Sequence, residues 1–209
     1  MRLFELAQSF EFWRSITTSL GRIVQGFALA LGIGIALAVV SAASKIFHLL
    51  VRPAINAINA IPIASFTVIA LMAVRSESLS TFIAFVTVLP IVYFNTHRGI
   101  ESTDPLLLEM ANVYNVPVWK KIVYIYFKTV APFVLSAANA GIGFAWKSGI
   151  AAELIGVVRG TIGANLHNAR IFLLTADLFA WTIAIVLLSF AMERLFRLVF
   201  ARVIRWQSN

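Results

Sequence analysis

The chain has no cysteine among its 209 residues, so disulfides, thiolate metal sites and a cysteine nucleophile are excluded. Charge is scarce too. Asp, Glu, Lys and Arg make up 12% of the residues, where a soluble domain usually carries about 25%. The three histidines, His48, His97 and His167, stand far apart in the sequence and read as isolated, so no metal site is expected. A phosphate-cradling loop of the P-loop type is missing, so the chain is not expected to hydrolyse ATP itself. Neither a catalytic triad nor a carboxylate pair stands out. No cleavable leader is expected either, because residues 1–13 are too polar for its apolar stretch.

What is present is apolar side chain: 60% hydrophobic residues and a mean hydropathy of +0.89. The fold class is therefore all-α integral membrane, with residues 1–209 forming one domain. The formal net charge is +8. In a soluble protein that excess suggests nucleic acid. Here basic residues flank membrane spans and face anionic headgroups, so lipid is the expected partner and nucleic acid is not.

Periodicity orders the elements. Residues 3–20 place Leu3, Leu6, Phe10, Trp13, Ile16 and Leu20 at helical spacing, with charges between them. That pattern predicts an amphipathic helix within 1–21, lying in the membrane interface. A first span is expected over about 23–43. Gly21, Gly26, Gly32 and Gly34 would let it pack closely against other helices. Lys45, His48 and Arg52 follow, and Pro53 reads as punctuation. A second span, about 54–74, is interrupted by Pro62, and a third, about 79–95, contains Pro90. A fourth covers about 122–150, a polar Gly-rich stretch runs over 156–170, and the last covers about 171–192. Five spans result. Trp13, Trp119, Trp181 and Trp206 are candidate interface anchors.

Lys and Arg set the orientation. With the C-terminus cytoplasmic, one side holds nine (Lys45, Arg52, Arg98, Lys120, Lys121, Arg194, Arg197, Arg202, Arg205). The other holds six: Arg2, Arg14, Arg22, Arg75, Arg159 and Arg170. The N-terminus is then extracytoplasmic, and the polar segment 97–121 faces the cytoplasm.

That segment is the most structured polar stretch in the chain. Pro105 suits the first turn of a short helix capped by Thr103 or Asp104. Leu106, Leu107, Met110 and Tyr114 would form one sticky face, and Pro117 closes the segment ahead of Lys120 and Lys121. Read from residues alone, it is either a docking element or a solvated connector.

Glu109-Met110-Ala111, three residues, Asn115, then an apolar run to Pro132 resembles the EAA loop of ABC importer permeases. Other stretches are similar to the nitrate, sulfonate, taurine and bicarbonate subfamily. They are the run from Ser19 through Gly21 and Gly26 to Phe27, Ala60-Ile61-Pro62, Pro90-Ile91 with Asn95, and Ala145-Trp146-Lys147 with Ala151-Ala152-Glu153. The resemblance covers roughly residues 15–200. Two positions depart from the pattern. Asn115 replaces the loop glycine, which a left-handed turn tolerates; Lys128 replaces the first proline, while Pro132 keeps the second.

The resemblance implies a type I (MetI-like) permease core of five spans, without the extra N-terminal span of many relatives. It implies a non-catalytic transport subunit of the cell (inner) membrane, acting as a homodimer. Two ATPase subunits would bind the ATP and Mg, and this chain would hold no cofactor. A separate binding protein would deliver a small, often anionic solute, with 156–170 (Arg159, Asn165, His167, Arg170) as its candidate contact. Pro105, Leu107, Glu109, Met110, Ala111, Tyr114, Asn115 and Pro117 become the ATPase-coupling residues. Alternatives are a channel or secondary transporter without an ATPase, or a permease for a vitamin precursor.

Along the path, the candidates are Asn56, Asn59, Pro62, Asn139, Lys147 and Glu153. The amides, with Ser65 and Ser148, either line a polar passage or hydrogen-bond helices together. Pro62 and Pro90 read as hinges or as fixed kinks. Lys147 has three open readings: it attracts an anionic substrate, pairs with Glu153 in an outer gate, or snorkels to the headgroups.

Overall fold

The computed structural model describes residues 2–207, with side chains described for 2–198. Arg202, Arg205 and the expected anchor Trp206 lie outside the described side chains. Every regular element among the described residues is helical.

The N-terminus differs from expectation. Helix α1 covers Arg2–Ala7, and after a break at Gln8 and Ser9, α2 runs unbroken over Phe10–Ala43. Ser9 caps α2 by accepting the Phe12 N–H at 3.2 Å. No boundary falls near residue 21. The reason is one continuous buried stripe: Phe12, Ser15, Ile16, Ser19, Ile23, Gly26, Phe27, Ala30, Gly34, Ala38 and Ser41. Glu11, Trp13 and Arg14 are exposed beside it. Residues 10–21 are thus the first turns of one helix of about 51 Å, not a separate element. Two of its four glycines explain the packing. A Cβ on Gly26 would sit 2.3 Å from the Thr81 carbonyl oxygen, and one on Gly34 2.9 Å from Val92, whereas Gly21 and Gly32 face open space.

Ser44 ends α2 and caps α3, Lys45–Ala60, by accepting the Phe47 N–H. Pro53 does not punctuate; it lies inside α3. The break comes at Ile61 and Pro62, after which α4 covers Ile63–Ala73 at 107° to α3. The second span, expected to be interrupted at Pro62, is therefore a bent pair, and the pair does cross the bundle. α3 begins beside the end of α5 (Leu79–Glu101), where the Tyr93 hydroxyl donates to Ser41 at 3.0 Å. α4 finishes at the other end of α5, where Ala70, Leu79, Ala152 and Val158 form one apolar cluster.

α5 is the central helix. Its buried residues include Ile83, Val88, Val92, Tyr93 and Thr96, and Pro90 lies within it without ending it. Two short helices follow, α6 (Pro105–Val113) and α7 (Val118–Lys121). A π-helical turn, Ile122–Tyr126, joins α7 to α8, Phe127–Gly156. Together these make one rod over Val118–Gly156, longer at both ends than the expected span. The Gly-rich stretch that follows is not mainly loop: it holds α9, Ile162–Ile171, capped by Thr161. α10, Thr175–Gln207, completes the chain. Trp146 of α8 fixes it by donating its indole N–H to the Ile185 carbonyl at 3.2 Å.

Five crossings result, counting the bent α3–α4 pair as one. The termini of the crossings define two ends of the bundle. α9, α1 and the start of α10 sit at one, and α6 and α7 at the other.

Candidate functional site

The α6 end presents the segment singled out in the sequence. Asp104 is the cap of α6, its carboxylate accepting the Leu106 N–H at 2.8 Å. Thr103, the other candidate, is buried with its hydroxyl unpartnered. Pro105 occupies the first turn, where its missing N–H leaves nothing unpaired. Leu106, Leu107, Met110 and Tyr114 are all exposed, as the expected sticky face requires. Val113, which the sequence reading missed, is 77% exposed and extends it. Ala111 alone is buried, on the opposite side of the helix. Glu109 is exposed and makes no hydrogen bond or ion pair among the described residues, so it does not cap its own loop.

Asn115 holds the turn after α6 with φ 48°, the left-handed conformation for which the family pattern uses glycine. The Val116 N–H reaches back to the Ala111 carbonyl at 2.9 Å. Pro117 then starts α7, and Lys121 donates to the Asn112 side chain, tying α7 back to α6.

Half-way along the bundle, the break between α3 and α4 opens a cavity of about 530 Å³. Asn59, Pro62, Phe66, Thr87, Pro90 and Phe144 line it with neighbouring isoleucines. The kink explains how a cavity arises here: Ile61 and Pro62 are extended, so the helix surface is interrupted where α5 and α8 pass. Asn59 and Pro62 are thus at one cavity, as the sequence suggested. Asn56 and Asn139 are exposed on the outside of the bundle and do not line it.

Lys147 and Glu153 do not pair, which removes one of the three readings of Lys147. Six residues apart on a helix places them on different faces. Lys147 is exposed, whereas Glu153 is fully enclosed at 0% exposure. Glu153 instead accepts from the Ser19 hydroxyl at 2.7 Å and from the Gly163 N–H at 3.4 Å. Neither partner was visible in the sequence, because both come from other helices.

The α9 end holds a polar cavity of about 590 Å³ between α2, α9 and α10. Arg14, Ser15, Arg159, Asn165, Asp177 and Trp181 are among its lining residues. Of the candidate contacts in 156–170, Arg159 and Asn165 reach it, while His167 and Arg170 face each other at 3.4 Å. Arg2 grips Asp177 with both Nε and Nη2, fastening α1 across the start of α10. Those bonds, with one to Glu5, hold the Arg2 guanidinium further into its charged range.

The two histidines read as isolated prove to be neighbours. His48 and His97 stack with centroids 4.5 Å apart, and the Tyr93 hydroxyl lies 3.4 Å from His48 Nδ1. Topology held the signal: a crossing out along α3–α4 and back along α5 returns the chain to the same level.

A bent crossing beside a cavity, a long central rod and an exposed apolar helix between crossings define a membrane-spanning transport subunit with the ABC importer fold. A solved structure titled as an amino acid ABC transporter with histidines superposes with a TM-score of 0.70 at 16% identity, covering 93% of this chain and 92% of the other. The chain belongs to the family described as the inner membrane component of binding-protein-dependent transport systems, whose model matches residues 28–205. It is similar to a putative aliphatic sulfonates transport permease protein of Bacillus subtilis, 26% identical over 207 residues, covering 98% of this chain and 74% of the relative. A nitrate import permease protein of Synechocystis is 27% identical over 141 residues, covering 67% and 51%. A bicarbonate transport system permease protein of Synechococcus elongatus is 26% identical over 153 residues, covering 73% and 54%.

Proposed function

We propose that this chain is the path-forming subunit of an ATP-driven importer, working as a pair of identical copies. The carrying observation is α6. A water-facing helix that exposes Leu106, Leu107, Met110, Val113 and Tyr114 around an unpaired Glu109 has the composition of an interface core waiting for its partner. In this reading the partner is a cytoplasmic ATPase that binds the ATP and Mg, so the α6 end is cytoplasmic. The opposite end, with its polar cavity, receives a soluble binding protein. The N-terminus is then extracytoplasmic and the C-terminus cytoplasmic, in keeping with the Lys and Arg bias.

The path runs beside the α3–α4 break, with Asn59 and Thr87 as its polar groups in an otherwise apolar wall. The cargo is a small oxyanion, the class shared by the sulfonate, nitrate and bicarbonate of the relatives' names. Lys147, exposed on α8, supplies a positive charge near the path once a second copy covers that face.

Glu109→Lys in the assembled transporter tests the docking role. The variant is expected to insert normally, to lose co-purifying ATPase and to lose ATP-coupled uptake. Undiminished ATP-coupled uptake would sink the assignment of Glu109, and uptake that needs no ATP would sink the importer reading itself.

A further inference from the structure

The transport reading leaves the Glu153 network without a role. Four elements converge on this one enclosed carboxylate. Ser19 of α2 donates its hydroxyl to Glu153 Oε2 at 2.7 Å, and the same hydroxyl oxygen accepts the Ile162 N–H at 3.0 Å. The Gly163 N–H donates to Oε2 at 3.4 Å, and the Ala164 N–H donates to the Thr161 side chain at 3.3 Å. The first three N–H groups of α9, which no helix can satisfy internally, are thus all accounted for. The carboxyl group sits where the helix dipole favours a negative charge. Gly163 makes this approach possible, because a Cβ there would lie 2.3 Å from the Cβ of Glu153.

A second set of partners stands close by. Glu153 Oε1 is buried without a hydrogen bond, and so are Nη1 of Arg22, one turn on from Ser19 in α2, and the Ser80 hydroxyl of α5, near enough to the Glu153 carboxyl to be felt there but short of a hydrogen bond. No ion pair joins Arg22 to Glu153 in this state. Buried charge without a partner is strongly unfavourable. A carboxylate that lost α9 would therefore need another donor, and Arg22 and Ser80 are placed to supply it.

We propose that Glu153 is the positioning residue of the closure at the α9 end, exchanging partners as that end opens. In the closed state it clamps the N-terminus of α9 to α2 and α8. When α9 lifts, the carboxylate passes to Arg22 and Ser80, so its charge is covered in both states. This inference rests on the transport reading.

The test uses the permease assembled with its ATPase in proteoliposomes. The natural absence of cysteine makes a single Ala164→Cys a clean reporter, because Ala164 lies on the buried side of α9 and reacts with a maleimide only when α9 lifts. Adding Glu153→Gln, which keeps the shape and removes the charge, is expected to speed labelling about tenfold, as loss of a charge-assisted hydrogen bond implies. ATP hydrolysis without the binding protein should rise with it. Arg22→Ala, which removes only the second partner, is expected to leave labelling slow and to lower binding-protein-stimulated hydrolysis. Ser19→Ala, a milder cut in the same clamp, decides the matter if Glu153→Gln does not fold; it should speed labelling several-fold. Parental labelling rates in both clamp variants would overturn the proposal. Parental stimulated hydrolysis in Arg22→Ala would overturn the exchange of partners. Should the parent complex show no ATP-coupled uptake, the transport reading fails, while the labelling rates still report on the clamp.

Discussion

His48 of α3 lies flat against His97 of α5, centroids 4.5 Å apart and planes 27° from parallel. His97 is enclosed, at 8% exposure, and its Nδ1 lies 3.4 Å from Glu101 at the end of α5. The stack holds the broken crossing to the central helix, four residues before α5 ends above α6. His48→Ala should lower stability by about 1 kcal/mol, the usual worth of an aromatic pair. His48→Phe should keep most of that, and thermal unfolding in detergent compares them. Equal losses in the two variants would assign the stability to the Tyr93 hydroxyl instead.

Asn115 and Val157 both hold left-handed backbone, φ 48° and 47°. A side chain there is unfavourable by about 1–2 kcal/mol, with asparagine the mildest case and a β-branched residue the worst. Val157→Gly should therefore raise the melting temperature. Asn115→Val should lower it and loosen the turn between α6 and α7, seen as faster proteolysis of that turn, while Asn115→Gly should be neutral or better.

Gly163→Ala should be among the most damaging single-methyl changes in the chain. The added carbon would lie 2.3 Å from Glu153 Cβ and 2.5 Å from the Leu154 nitrogen, so α9 must move away. Expression and thermal unfolding would show the loss, expected at about 2–3 kcal/mol or more. A fully stable Gly163→Ala would mean that α9 seats differently. Gly32→Ala, which meets nothing within 4 Å, is the control.

Asn59 and Asn56 are one turn apart, and only Asn59 lines the mid-bundle cavity. Asn59→Leu should reduce uptake several-fold with assembly intact, and Asn56→Leu should leave uptake near the parent's. Equal effects from both would remove the cavity from the path.

Much of the molecule was legible in its sequence because hydropathy dominates a membrane chain. The five crossings, the Pro62 break, a cap at Thr103 or Asp104 and the exposed apolar side of α6 all follow from local pattern. The N-terminal boundary was obscured locally. Glu11 and Arg14 interrupt the hydropathy of the first turns, but both are exposed, and the buried stripe from Phe12 to Ser41 continues beside them as one helix. The other errors concern partners. Glu153 paired with Ser19 and Gly163, or His48 with His97, depends on how distant helices come together, which residue spacing does not encode. The pairing of Lys147 with Glu153, one of three readings, fails because a helix turns the two apart.

The rod from Val118 to Gly156 is 39 residues, about 58 Å of continuous helix. Its tightest crossings lie towards the Gly156 end, where a Cβ on Gly149 would sit 2.5 Å from Ile23 and one on Gly156 2.4 Å from Leu79. A rod held near Gly149 behaves as a lever with very unequal arms. Lys121 lies about 42 Å from that point on one arm and Glu153 about 6 Å on the other. A sideways push of about 5 Å at Lys121 would therefore reach Glu153 as about 0.7 Å in the opposite direction. The long arm swings while the seat of Glu153 stays nearly still, so opening of the α9 end has to come from movement of α9 itself.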